Sequence, residues 1–274
     1  MSGQEKRRRA LTAWASFFLA ALLLCVFCAA EVLMPETGKK TKKNGSLTVD
    51  ISHMEEGYIM VKAAKGNKKY KVRMKKGDVT LNYDLNNNGE YEVYPLQYGN
   101  GKYTFTLYKN VSGKKYSEEG KVTISPEMPD ENRCFLFPNQ YINYTPETEA
   151  VKTAGEICAG MTDPDEILKT IRKYITSHFT YDFIKSVTVK SGQLPDIDAS
   201  WKKNMGICQD LSAITVAMLR SQGVPARMMI GTLGSGTYHA WVTAIIHGED
   251  VFFDPTAELN GVNRNETYTV ERYY

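Results

Sequence analysis

The apolar period of this chain changes once, and that change constrains its fold more than any other feature. From Ser46 to Ser125, apolar and polar residues alternate in short runs, as in Leu47/Val49/Ile51, Tyr70/Val72/Met74, Val79/Leu81/Tyr83, Tyr103/Phe105/Leu107 and Val122/Ile124. Period-two alternation of Tyr and β-branched residues between Gly and Asn turns predicts antiparallel strands with one buried face. About seven or eight such strands make a small β-sandwich. Beyond Pro146 the apolar residues recur every three or four positions, the spacing of helices. The expected class is therefore α+β, with a β-rich domain over 46–125, a connecting segment over 126–145 and a mixed domain over 146–274.

Residues 35–45, PETGKKTKKNG, are charged and turn-rich without an apolar period, and read as a linker. Asp84, Asn86, Asn88 and Gly89 match the start of a calcium loop. Pro95 stands where the bidentate Glu should be, and no helices flank the loop. An Asn88-Gly89 hairpin turn accounts for the same residues, so no metal is assigned.

In the second half, Ala150, Val151, Ala154, Ile157 and Cys158 form one helical stripe, which makes Cys158 a core residue. Asp163, Pro164 and Glu166 predict a capped helix start, followed at helical spacing by Ile167, Ile171, Tyr174, Ile175 and His178. A polar loop then extends to about Ser200. His178 ends its stripe and reads as structural.

At the other end, Arg7 to Arg9 precede an apolar run from Ala10 to Ala30, extended by Val32, Leu33 and Met34. Positive then apolar is the order of an export signal. About 21 residues are enough to cross a ~30 Å hydrocarbon core as a helix. The basic residues 1–9 should stay cytoplasmic, placing everything after residue 34 outside. Cys28-Ala29-Ala30 makes a fair cleavage site; the length of the run favours an uncleaved membrane anchor over 10–34. A net charge of +3, with its Lys and Arg excess in two short clusters, does not suggest a nucleic-acid partner. MPETG over Met34–Gly38 resembles a sortase signal, but lies at the wrong end of the chain for one.

Outside that segment only Cys134, Cys158 and Cys208 remain, too few for a disulfide framework. A Cys134–Cys158 pair and two separate thiols are both compatible with the sequence. Cys208 differs, because it opens a helix whose stripe is Leu211, Ile214, Met218 and Leu219, stopped by Gly223 and Pro225. A helix start offers unpaired N–H groups and the positive end of its dipole, which favour a thiolate. Gly206 is expected to let a substrate backbone approach.

His239 then begins an alternating strand, Tyr238 to Ile246, and Asp254 ends another, Val251 to Phe253. Any two-residue turn within His247–Asp250 puts His239, Trp241 and Asp254 on one sheet face. Turns at Gly248-Glu249 or His247-Gly248 set Asp254 opposite Thr243 or Trp241, so contact with His239 needs a diagonal or a bulge. Chemically, Cys208 serves as nucleophile, His239 as base and then acid, and Asp254 as the group that orients the imidazole. The spacing of Cys208, His239 and His247 suits no zinc site.

The stretches GICQDLSAITVAMLRSQGVPARMMIG, YHAWV and VFFDPT closely resemble the core of the bacterial transglutaminase-like superfamily, from about Asp163 to Thr256. That resemblance implies a papain-type fold of helices on an antiparallel sheet, with Cys208, His239 and Asp254 as catalytic residues and no cofactor. It implies a structural role for Asp210, and makes Trp201 a candidate oxyanion donor by position. Thr232 and Ala244-Ile245 depart from the family pattern in ways that bear on the substrate groove. Hydrolysis of a peptide, amide or isopeptide bond in a protein or peptide at the cell surface is the first expectation. Amine transfer and a non-catalytic peptide- or glycan-binding module are the alternatives.

Overall fold

The computed structural model describes residues 30–262 and 266–274. Eight strands form the first half: β1 (Thr41–Asn44), β2 (Leu47–Asp50), β3 (Tyr58–Ala63), β4 (Tyr70–Lys76), β5 (Val79–Leu85), β6 (Glu92–Pro95), β7 (Tyr103–Ser112) and β8 (Lys115–Ile124). They make two antiparallel four-stranded sheets, ordered β1-β2-β3-β6 and β5-β4-β7-β8. The inward residues of both sheets meet in one core, where Tyr94 of β6 lies edge-on to Tyr83 of β5 and Phe105 of β7, with ring centroids 5.0 and 6.4 Å apart.

Two expectations change here. The stretch read as linker contains β1, whose four residues are all exposed. Backbone bonds to β2, not apolar burial, hold this edge strand, so no apolar period marks it. Its lysines protect an edge that would otherwise attract another strand. Asn88-Gly89 does not turn a hairpin either, because β5 and β6 belong to different sheets. It lies in a crossover held by its own side chains: Asn86 Nδ2 donates to Glu90 O and Glu92 Oε1, and Glu90 N–H donates to Asn88 Oδ1.

The second half contains α1 (Glu149–Ile157), α2 (Pro164–His178), β9 (Thr180–Tyr181), α3 (Phe183–Thr188), α4 (Ile197–Lys203), β10 (Met205–Gly206), α5 (Cys208–Ser221), β11 (Ala226–Leu233), β12 (Tyr238–Ile246), β13 (Glu249–Phe253), α6 (Pro255–Leu259) and β14 (Tyr268–Tyr273). The fold is thus a mixture of helices and antiparallel sheets. A four-stranded antiparallel sheet, β13-β12-β11-β14, backs the helices, and β9 and β10 form a short parallel pair. The loop expected before Ser200 is largely helical. Asp182 and Asp196 each cap a short helix there, accepting from Lys185 N–H at 2.8 Å and Ala199 N–H at 2.9 Å. Asp163 caps α2 as expected, but it accepts from Asp165 N–H, and Glu166 turns outward to Lys169. Cys134 and Cys158 are separate buried thiols, which burial pushes up to about 12 and about 11.

The sequence predicts one buried stripe on α5, whereas every residue from Asp210 to Ser221 is buried. β11 and β12 cover one side, and α1, α2, α4 and α6 cover the others. Such a helix must satisfy its polar side chains internally. Arg220, 1% exposed, does so with backbone oxygens alone. Its Nη1 donates to Phe137 O at 2.7 Å, Nε and one Nη donate to Ala226 O, and Nη2 also reaches Tyr274 O at 3.0 Å. One side chain therefore ties α5 to the connecting segment, to β11 and to Tyr274. An aromatic seam joins the halves beside it: Tyr141 stacks on Tyr274 at 3.6 Å, and Tyr98 meets Tyr273 at 5.0 Å.

Among the described residues no helix is long and apolar enough to cross a membrane. The expected anchor lies, up to residue 29, outside the described residues. Residues 30–34 are not helical, and Val32 packs on the core.

Arg220→Ala should destabilise the protein by on the order of 3 kcal/mol or more, since it leaves buried carbonyls without a donor. Equilibrium unfolding in urea measures this as a lower midpoint.

Candidate active site

Cys208 is the first residue of α5 and is half-buried, while the rest of the helix is sealed. The chain enters extended through Ile207, at φ −91° and ψ 178°. Asp210, wholly buried one turn on, reaches back so that its Oδ2 accepts from Ile207 N–H at 3.0 Å. The same oxygen takes Lys185 Nζ of α3 at 2.7 Å. Asp210 thus fixes the turn bearing the thiol, in the structural role expected of it. A second tie comes from Gln209, whose Nε2 donates to Gln193 O at 3.2 Å.

Gly206 has a reason other than the one its position suggests. A Cβ there would lie 2.8 Å from Asp210 Cβ, inside van der Waals contact. The glycine makes room for Asp210, whose carboxylate holds the helix start.

His239 lies on β12, and the turn to β13 is His247-Gly248, since Ile246 pairs with Glu249 and Val242 with Phe253. Both turn residues have positive φ, +53° and +84°, as a type I′ hairpin requires. Carried one position further, this register sets Asp254 opposite Trp241 and diagonal to His239. The diagonal is bridged: His239 Nε2 donates to Asp254 Oδ2 at 2.8 Å. Asp254 also caps α6, its Oδ1 accepting from Ala257 N–H at 2.9 Å. His247, by contrast, is exposed and reaches Asp165 Oδ2 at 3.1 Å.

Both members of the pair are buried, His239 at 4% and Asp254 at 2% exposure. Burial alone would pull the imidazole down; hydrogen bonds and charge from Asp254 and then Cys208 more than reverse this, raising it to about 9. Asp254 pays a desolvation cost as well, yet the His239 hydrogen bond and charge hold its carboxyl below the usual range. Since Nε2 faces Asp254, Nδ1 is the ring atom left for the Cys208 sulfur. The structure therefore brings all three expected residues together, with the imidazole in the middle.

Trp201 packs in an aromatic group. Its ring stacks on Tyr174 at 5.8 Å and packs against Phe179 at 5.4 Å, within the same aromatic group as His178. The N–H groups of Cys208 and Gln209 open α5 too early to bond within the helix. Two residues of the site had no signal in the sequence. Lys185 lies in a stretch read as loop. Tyr268, whose hydroxyl donates to Asp254 Oδ2 at 2.8 Å, lies beyond the last motif.

The family model of the transglutaminase-like superfamily matches residues 151–255, a span holding Cys208, His239 and Asp254. A search of curated proteins finds no match. Among solved structures, a candidate cysteine protease of Cytophaga hutchinsonii is similar at 14% identity, over 79% of this chain and 78% of that one, with a TM-score of 0.39. The periplasmic domain of TgpA from Pseudomonas aeruginosa is similar at 14% identity, over 81% of this chain and 77% of that one, with a TM-score of 0.37. Through residues 151–255, then, the chain carries a domain of the transglutaminase-like superfamily.

Proposed function

We propose that the chain is an extracytoplasmic cysteine enzyme that cleaves a peptide, amide or isopeptide bond by acyl transfer through Cys208, His239 and Asp254. One observation supports this above the rest: a buried imidazole bonded to the Asp254 carboxylate, with the helix-start thiol of Cys208 among the groups that raise it. An extracytoplasmic site follows from the basic residues 7–9 and the apolar run behind them.

In the first step, Cys208 Sγ attacks the carbonyl carbon, and its proton resides on His239. The carbonyl π-pair moves to oxygen, where the N–H groups of Cys208 and Gln209 stabilise it. Collapse breaks the C–N bond as the imidazolium gives its proton to the leaving amine, which leaves a thioester on Cys208. In the second step, His239 takes a proton from water, whose oxygen attacks the thioester. The C–S bond breaks and a carboxylic acid departs. Asp254 remains ionised throughout and keeps Nε2 protonated, so that Nδ1 stays the working nitrogen. Water is the favoured acceptor because it needs no dedicated channel. A primary amine in its place would give cross-linking.

Iodoacetamide at neutral pH should alkylate Cys208 far faster than Cys134 or Cys158. His239→Ala should slow that alkylation by at least about tenfold, and Cys208→Ala should abolish the fast phase, both followed by peptide mass spectrometry. Alkylation of Cys208 at the rate of an ordinary thiol would leave only a binding module. With glutamine-containing peptides and a dansylated alkylamine present, conversion of glutamine to glutamate should exceed incorporation of the amine, since both routes release the same ammonia. The reverse ratio would identify a transferase.

A further inference from the structure

Among the described residues, the strand that follows the family-matched span does more than close a sheet. β14 pairs with β11 across a bulge between Ile230 and Gly231, and Gly231 in turn pairs with His239 on β12. At Gly231 the two backbones approach so closely that a Cβ would lie 1.9 Å from Thr269 O. A glycine directly across from His239 thus admits β14, and admits it at the height of the His239–Asp254 pair.

Tyr268, the first residue of that strand, exploits this place. Its ring is wedged edge-on between Trp241 and Phe252, each 5.0 Å away, and it faces His239 at 6.2 Å. Held by two aromatic walls, the ring has little freedom, and its hydroxyl donates to Asp254 Oδ2 at 2.8 Å. That oxygen is the one that accepts from His239 Nε2. With Ala257 N–H on Oδ1, both carboxylate oxygens are held.

We infer that Tyr268 is a positioning residue of the catalytic site: it fixes the rotation of the Asp254 carboxylate and so the aim of the His239 ring at Cys208. Without the hydroxyl, the carboxylate loses a donor on Oδ2 and turns more freely about χ2. Oδ2 then moves off the axis of the Nε2–H bond, and Nδ1 turns away from the sulfur. A second donor on Oδ2, from a ring packed between Trp241 and Phe252, limits this freedom. The hydroxyl also favours the ionised carboxyl over the protonated one, because it donates to the charge. This inference rests on the enzymatic reading above and adds to it a residue outside residues 151–255.

The test is the pH dependence of Cys208 alkylation by iodoacetamide in the full chain, for the wild type, Tyr268→Phe, Asp254→Asn and the double variant. Tyr268→Phe keeps the ring between Trp241 and Phe252 and removes only the hydroxyl. Alkylation at pH 7 should fall about three- to tenfold, as the loss of one such hydrogen bond implies. The acid edge of the profile, where the Cys208–His239 pair loses its thiolate, should move to higher pH, since an imidazolium aimed less well stabilises that thiolate less. In the Asp254→Asn background the same change should have little further effect, the sign of two residues acting through one group. A Tyr268→Phe profile superimposable on the wild type, or a full additive effect in the double variant, would overturn the inference. If His239→Ala does not slow alkylation of the wild-type thiol, the enzymatic reading itself fails, which is a separate result. Should Tyr268→Phe lower the thermal midpoint while leaving rate and acid edge unchanged, the tyrosine is packing alone and the inference is wrong.

Discussion

Burying a helix on every side creates two obligations, one at each end, and in this protein both are met by charged side chains of the helix itself. Near the start of α5, Asp210 binds Ile207 N–H and Lys185. Near its end, Arg220 gathers the carbonyls of Phe137, Ala226 and Tyr274. Neither group is left unpaired by the seal around it, since an unpartnered buried charge costs several kcal/mol. What the arrangement yields is a first residue, Cys208, whose backbone has no freedom while its sulfur remains half-open. A nucleophile gains from this because its partner, His239, sits on a separate element, the sheet strand β12. Only if helix and sheet are locked together does the sulfur-to-imidazole contact persist.

The electrostatics follow from the same packing. Burial works against charge on both His239 and Asp254, and each is nevertheless driven toward its ionised form by the other. The sign matters for pH. A carboxylate held below its ordinary range keeps its charge until the medium is strongly acidic, whereas an imidazole raised to about 9 keeps its proton through neutrality and loses it in alkali. At neutral pH the ring therefore carries a proton it is able to give to a leaving amine.

Much of this was legible before any coordinates. Cys208, His239 and Asp254 stand out by residue type and order. The alternation of Tyr238–Ile246 and Val251–Phe253, with any two-residue turn, already places His239 and Asp254 on one face. Which turn is used was not legible, because His247 adopts φ +53°, a conformation that β-carbon sterics make uncommon for His. Gly206 and Gly231 are glycines for reasons of crowding by Asp210 Cβ and Thr269 O, contacts made by residues that local pattern does not link. β1 escaped notice because an edge strand with every side chain in solvent has no apolar period. Tyr268 escaped because its partner, Asp254, is 14 positions away and on a different element. Patterns report faces, not cross-chain contacts, and it is the contacts that complete the site.

The imidazole of residue 239 is the centre on which the account turns, and its protonation is directly observable. An NMR titration of a ring-labelled sample should find His239 with a midpoint near 9, falling in Cys208→Ala and again in Asp254→Asn, since both partners raise it. A midpoint near the ordinary imidazole value of about 6.5, unmoved by either substitution, would mean that the ring bridges nothing, and would contradict the account.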